Sequence, residues 1–133
     1  MYPLHLNRHV QSVARECLDG HARILLLPPL EYLPFVDLMR RAYLILTDSG
    51  GIQEEAPSLR VPVLVMRDAT ERPEGVEAGV AQLVGTCTDS IVAAAENLLS
   101  NRRAYAQMRA SANPYGEGHA AEKIVRALET SLS

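Results

Sequence analysis

Residues 43–55 read YLILTDSGGIQEE, and this stretch decides the fold because an apolar run ends in a glycine turn that opens a helix-forming segment. A buried strand followed by such a turn leaves the first N–H groups of the helix unpaired, with the positive end of the helix dipole behind them. Ser49, Gly50 and Gly51 place no bulky side chain in front of these amides. The stretch therefore predicts a socket for a phosphate group.

Glu55 indicates what kind of molecule carries the phosphate. It lies about one helical turn beyond the glycines, where a carboxylate would repel phosphate but could accept hydrogen bonds from ribose hydroxyls. The combination favours a nucleotide. The neighbouring Glu54 points about 100° away on the helix, so the two carboxylates cannot act as an acid/base pair on one substrate atom.

Apolar runs alternate with helical patterns along the rest of the chain, which is typical of a parallel sheet with crossover helices. We expect short buried strands at residues 23–27, 43–47, 61–67 and 81–84. We expect helices at residues 32–42, 51–59, 88–99 and 102–110, and a last helix after the loop 113–118. The helix at 88–99 should carry Ile91, Val92, Ala95, Leu98 and Leu99 on one apolar face, and the last helix should turn Ala121, Ile124, Val125 and Leu128 inward. The predicted fold class is α/β, a Rossmann-like parallel sheet with flanking helices.

Length and composition exclude several classes of protein. The 133 residues fit one domain spanning the whole chain, and a net charge of −3 without a Lys/Arg cluster argues against a nucleic-acid surface. Cys17 and Cys87 lie far apart and form no ligand-spaced pair, so we expect a reducing, cytoplasmic setting. No spacing of His, Cys, Asp and Glu suggests a metal site, and we expect no metal and no cofactor. No apolar stretch approaches the ~20 residues of a membrane helix, so we expect no membrane partner.

The chain begins unusually. Residues 1–7 read MYPLHLN, which looks like the exit from a strand whose apolar body is missing. We therefore expect this sequence to be part of a longer ancestral chain. As a consequence, either the strand at 23–27 pairs directly with the strand at 43–47, or another polypeptide fills the space between them.

A second polar loop follows the strand at 61–66, where residues 66–74 read MRDATERPE. In open parallel sheets ligands bind beyond the carboxyl ends of the strands, so this loop is predicted to lie beside the Ser49 turn. Arg72 carries a planar cationic fork suited to a diphosphate, and Pro73 stiffens the chain after it. The alternative interpretation is a solvated loop of mixed charge.

Four strings together resemble one family: LPFVDLM, LILTDSGGIQEEAPSL, PVLVMRDATERPE and NPYGEGHAAEKI. In order and spacing they are similar to the C-terminal lobe of the non-hydrolysing UDP-N-acetylglucosamine 2-epimerases, over nearly the whole chain. The resemblance implies a partial C-terminal lobe of a GT-B type fold, with UDP or UDP-N-acetylglucosamine as the ligand. It also implies an isomerase of polysaccharide biosynthesis that interconverts UDP-N-acetylglucosamine and UDP-N-acetylmannosamine through elimination and re-addition of UDP.

The resemblance also assigns roles to individual residues. It implies that Ser49, Gly50 and Gly51 hold the diphosphate and that Glu55 holds the ribose hydroxyls. It also implies that Arg72 binds the phosphates or the adjoining sugar and that Phe35 lies at the uracil. Periodicity alone places Phe35 in a core-facing helical stripe. His5 matches a position where relatives bind a second, activating UDP-N-acetylglucosamine.

No catalytic residue is predicted in this chain. In the resembled family, the acid/base carboxylates come from the N-terminal lobe, and a His-Arg element comes from a part of the C-terminal lobe that is missing here. We expect the isolated chain to bind the nucleotide without turnover, and to form a homo-oligomer or associate with the missing N-terminal lobe. Two alternatives stay open: the UDP-sugar lobe of a GT-B glycosyltransferase, which the string TERPE disfavours, and a non-catalytic nucleotide-sugar-binding module.

Overall fold

The computed structural model describes residues 1–131, and the chain divides into two compact units. The first unit is Met1–Leu38, and the second runs from Met39 onward. Each unit has its own parallel sheet, with strand order β1-β2 in the first and β3-β4-β5 in the second. The expectation of one domain over the whole chain stays a prediction.

The first unit pairs two short strands beside a helix. Strand β1, Tyr2–Pro3, runs parallel to β2, Leu26–Leu27, and helix α1, Arg8–Leu18, connects them. Helix α1 starts where it does because the side chain of Asn7 accepts the backbone N–H of His9 at 2.9 Å. Residues 1–7 thus include a paired strand, although the apolar pattern there is too short to predict one.

Strand β2 does not pair with β3, so the first of the two alternatives expected from the sequence, direct pairing of these strands, is wrong. Its partner is β1. The pairing continues one residue beyond β1, where the N–H of Leu4 donates to the carbonyl of Leu27 at 3.0 Å. The strand is also shorter than the predicted 23–27. Filling of the sheet edge by another polypeptide stays a prediction.

Helix α2 covers Tyr32–Arg41, as its helical spacing predicts. The remaining elements all belong to the second unit. They are β3 Ile45–Thr47, α3 Gly50–Ser58, β4 Val63–Val65, α4 Pro73–Glu77, β5 Ala81–Leu83, α5 Thr88–Ser100, α6 Arg102–Ala110 and α7 Ala120–Ser131.

Strand β4 lies at the centre of the second unit's sheet, and its three residues are fully buried. On one face, Val63 and Val65 pack with Ala56 of α3. On the other face, Leu64 packs with Leu98 of α5. Coverage of both faces explains why β4 reads as a continuous apolar run. Since the three strands are parallel, their carboxyl ends share one edge, and the loops that leave them lie together.

Two helical faces differ from expectation. In α7, Ile124, Val125 and Leu128 are 60%, 53% and 56% exposed, so the prediction that they face inward is wrong. In α5, Leu98 is buried as expected, but Leu99 is exposed. Periodicity shows that a helix has an apolar face, but it does not show that another part of the same chain covers that face.

Candidate functional site

The turn after β3 leaves the start of α3 open. The buried hydroxyl of Thr47 accepts the N–H of Ser49 at 3.0 Å and thereby fixes the direction of the turn. Ser49 is the N-cap residue of α3, yet its side chain makes no capping hydrogen bond. The amides of the first helical turn are therefore available to an acceptor from outside the helix.

The fold itself gives no reason for glycine at positions 50 and 51. Neither Gly50 nor Gly51 has a positive φ, and a Cβ built on either would meet no atom closer than 3.9 Å. Glycine inside a helix is less favourable than alanine by up to about 1 kcal/mol. The close approach of a ligand to the amides is a reason that fits both positions.

Arg72 lies beside this turn. A Cβ built on Gly50 would have the Arg72 Nη2 atom as its nearest neighbour, at 3.9 Å. The prediction that the two loops lie side by side is thus confirmed. The sequence did not predict that Pro73 starts helix α4, with Arg72 as the N-cap residue. Proline suits the first position of a helix because its missing N–H would have no partner there.

Gln53 ties the two loops together, a role that the sequence alone did not predict. Its side chain is almost fully buried, at 1% exposure, and its Nε2 group donates to the carbonyl of Ser49 at 3.3 Å. Its Oε1 atom accepts the hydroxyl of Thr70 at 2.6 Å, and that hydroxyl accepts the N–H of Arg72 at 3.0 Å. Its position in the sequence gives one indication of this role: Gln53 comes three residues before Ala56 and therefore lies on the buried face of α3.

Glu54 is the second residue whose role the sequence alone did not predict. Its Oε1 atom accepts a hydrogen bond from Nε of Arg72, and this contact raises the pKa of Arg72. The Nη1 group of Arg72 donates to the carbonyl of Glu71 at 3.2 Å. These two contacts hold the guanidinium through Nε and Nη1, while Nη2 lies near Gly50. A bound diphosphate would share the cation with the Glu54 carboxylate.

A second arginine in the same loop is occupied by an acidic neighbour. Both terminal nitrogens of Arg67 donate to the carboxylate of Glu71, at 2.7 and 2.8 Å. This paired hydrogen bond holds the pKa of Glu71 at about 2, below its usual 4.5. The positive charge of Arg67 is therefore already paired with Glu71 within the loop. In Arg72, by contrast, the Nη2 group lies near Gly50.

The pairing predicts how the loop responds to acid. Because the pKa of Glu71 is lowered, its contribution to stability is complete above about pH 4.5 and is lost as the pH falls through about 2. An NMR titration of the Glu71 carboxyl carbon should give a midpoint near 2, and Arg67→Ala should move that midpoint up toward 4.5. Arg102→Ala, a control on helix α6, should leave it unchanged. A midpoint near 4.5 in the unaltered chain would contradict this assignment.

The remaining predicted site residues are placed as follows. Glu55 is half-buried on α3, about one turn beyond the glycines, as expected. Phe35 is a half-buried residue of α2 in the first unit. His5 also belongs to the first unit, where its Nδ1 atom accepts the N–H of Asn7 at 3.0 Å. The ligand contacts assigned to these three residues stay predictions.

Within residues 1–131, His, Cys, Asp and Glu side chains form no group of three or more that could hold a metal ion. Every helix in that range is too short or too polar to span a bilayer.

Comparison with known sequences gives a consistent result. The family model described as UDP-N-acetylglucosamine 2-epimerase matches residues 1–129. The chain is 57% identical, over 97% of its length, to a probable UDP-N-acetylglucosamine 2-epimerase of Ralstonia solanacearum, of which the match covers 34%. It is 52% identical, over 98% of its length, to the UDP-N-acetylglucosamine 2-epimerase of Escherichia coli K12, of which the match covers 35%. The chain thus spans about a third of the length of these relatives.

Solved structures lead to the same family. The S. aureus MnaA–UDP co-structure is 49% identical with a TM-score of 0.90, and the match covers 98% of this chain and 36% of that one. The UDP-GlcNAc 2-epimerase from Neisseria meningitidis bound to UDP-GlcNAc is 48% identical with a TM-score of 0.90, over 96% of this chain and 34% of that one. The predicted α/β fold, part of a GT-B type fold, is confirmed. The chain belongs to the UDP-N-acetylglucosamine 2-epimerase family.

Proposed function

We propose that this chain is the UDP-binding lobe of an enzyme that interconverts UDP-N-acetylglucosamine and UDP-N-acetylmannosamine. The observation that carries the proposal is the 3.9 Å between the Cβ position of Gly50 and Nη2 of Arg72. Open amides and a cation thus face the same small space. Two solved relatives that share this fold were bound to UDP and to UDP-GlcNAc, which supports the choice of ligand.

In the proposed reaction the lobe assists the departure of UDP. The amides of Gly50 and Gly51 and the guanidinium of Arg72 stabilise negative charge as it develops on the leaving diphosphate. Glu55 accepts hydrogen bonds from the ribose hydroxyls, and Phe35 contacts the uracil. The groups need no reorganisation during the reaction, because Gln53 and Glu54 already hold the turn and the arginine in place.

Proton transfer at the sugar carbon is assigned to a different part of the enzyme. Glu54 is engaged by Arg72, and Glu55 has the ribose as its proposed partner, so neither is placed to act as the base. We assign the acid/base groups to the part of the relatives that lies outside the matched third. His5 is assigned to an adjoining site for an activating UDP-N-acetylglucosamine.

The proposal includes association and location. A second copy or an N-terminal lobe would cover the exposed apolar face of α7, formed by Ile124, Val125 and Leu128. The free cysteines Cys17 and Cys87 support a reducing compartment, the cytoplasm.

Two measurements on the 133-residue chain test the proposed function. Calorimetric titration should show that UDP binds at one site and that uridine, which lacks the diphosphate, binds far more weakly. An assay with UDP-N-acetylglucosamine should show no formation of UDP-N-acetylmannosamine by this chain alone. Equal affinity for uridine and UDP would contradict the diphosphate site, and turnover at an ordinary enzyme rate would contradict the assignment of the acid/base groups.

A further inference from the structure

Tyr115 occupies the space in front of a buried glycine. Gly75 lies in α4, and a Cβ built there would be 2.5 Å from the Tyr115 hydroxyl oxygen and 3.3 Å from its Cζ atom. Gly75 has no positive φ, so contact with the tyrosine, rather than backbone conformation, excludes a side chain at this position. The hydroxyl of Tyr115 is buried and has no hydrogen-bond partner among the described residues.

The loop that carries Tyr115 is fastened to helix α3. Asn113 accepts the N–H of Tyr115 at 3.1 Å and donates to the carbonyl of Gly116 at 2.9 Å. The same Asn113 side chain also donates to the hydroxyl of Ser58 at 3.0 Å. Ser58 is the last residue of α3, the helix whose first turn carries the open amides. One asparagine therefore shapes the loop and anchors it to the site helix.

Gly75 in turn is linked to Arg72. The N–H of Gly75 donates to the carbonyl of Arg72 at 3.3 Å, so the two residues close the turn that begins α4. Arg72 adopts φ −125° and ψ 58°, outside the helical and extended regions. A ring pressed against Gly75 restricts the movement of this turn and hence of the backbone that carries the guanidinium.

We propose that residues 113–116 form a clasp, and that Tyr115 is a positioning residue that holds Arg72 beside the first turn of α3. The clasp connects the far end of α3 to the turn that starts at Arg72. It acts by packing, because the Tyr115 hydroxyl has no partner in the described part of the chain. The inference rests on the proposed function, in which Arg72 binds the diphosphate.

A double-mutant cycle tests whether the clasp acts through Arg72. Tyr115→Ala should weaken UDP binding about five-fold or more, within the range of coupling between neighbouring residues. In an Arg72→Ala background, the same substitution should have no further effect on UDP affinity. Tyr115→Phe, which keeps the ring, should bind UDP as the unaltered chain does. Additive losses in the double variant would overturn the clasp.

A rescue experiment tests the contact itself. Gly75→Ala places a methyl group against the Tyr115 oxygen and should weaken UDP binding. Adding Tyr115→Phe removes the atom at 2.5 Å and leaves Cζ at 3.3 Å, so the pair should recover part of the affinity. Failure of this rescue would count against the contact. If Tyr115→Ala does not fold, the result of the rescue decides the proposal.

The outcomes separate the clasp from the proposed function. If Arg72→Ala weakens UDP binding while Tyr115→Ala and Gly75→Ala do not, the clasp is overturned and the proposed function stands. If the unaltered chain does not bind UDP, the proposed function fails and hydrogen exchange decides the clasp. Tyr115→Ala should then speed exchange of the Arg72 and Gly75 amides relative to Leu64, and unchanged rates would overturn it.

Discussion

UDP binding should fall at least about a hundred-fold when Gly50 is replaced by leucine, the loss expected when two charged hydrogen bonds of roughly 1.5 kcal/mol or more are removed. The Cβ of the new side chain would point toward Nη2 of Arg72, 3.9 Å away, and its branches would fill the space assigned to the diphosphate. The loss comes from a blocked site, so the fold should survive. Calorimetry with UDP measures the effect.

Gly50→Ala separates the role of this residue in binding from its role in folding. Alanine fits the backbone, because φ is not positive and the space is free to 3.9 Å. It should therefore raise the free energy of unfolding by about 0.4–1 kcal/mol while weakening UDP binding.

Ala93→Leu, on the exposed surface of α5, is the control for the leucine added in Gly50→Leu and should leave UDP affinity unchanged. Full UDP affinity in Gly50→Leu would contradict the site.

Loss of Arg72 gives the second large effect. Arg72→Ala should weaken UDP binding about ten-fold or more, because a charged hydrogen bond contributes roughly 1.5–3 kcal/mol. The effect on stability should be small, since the ion pair with Glu54 is more than a third exposed on both sides. Binding and thermal unfolding, measured on the same samples, distinguish lost affinity from lost structure.

Arg67→Ala is the matched control for Arg72→Ala. Arg67 lies in the same loop and loses the same charge, but its guanidinium is engaged on both terminal nitrogens by Glu71. We expect a change in UDP affinity of less than about three-fold, from the altered long-range field alone. Equal losses in the two variants would show that the loop acts through general charge, and that Arg72 has no specific position at the diphosphate.

The sequence was sufficient to predict which loops meet. A run such as residues 43–47, followed by a glycine turn, predicts a strand that ends at a helix, and parallel strands place their carboxyl ends at one edge. That rule alone put Arg72 beside Ser49, and the 3.9 Å between Gly50 and Arg72 agrees with it. Helix α6 begins and ends at the predicted residues, and its start is fixed by Asn101, whose side chain accepts the N–H of Arg103.

The sequence did not predict which side chains pair across the site. Glu54, Glu55 and Glu71 are chemically alike in the sequence, and only the packed loops show that Glu54 takes Nε of Arg72. The sequence did not predict the clasp either, because Tyr115 and Gly75 come into contact only through tertiary packing. The prediction that the apolar face of α7 is buried is wrong for the opposite reason. Its pattern predicts a packing partner, and the described residues do not supply one.

An NMR titration of the ¹⁵N-labelled chain with UDP tests the central claim most directly. The amide signals of Gly50 and Gly51 and the Nε–H signal of Arg72 should shift together and saturate at the same UDP concentration, because one diphosphate contacts the two amides and the guanidinium that carries this Nε–H. The signals of Arg60 and Arg109, at the opposite edge of the sheet, serve as an internal reference and should stay in place. UDP-dependent shifts that leave Gly50, Gly51 and Arg72 unmoved would contradict the account.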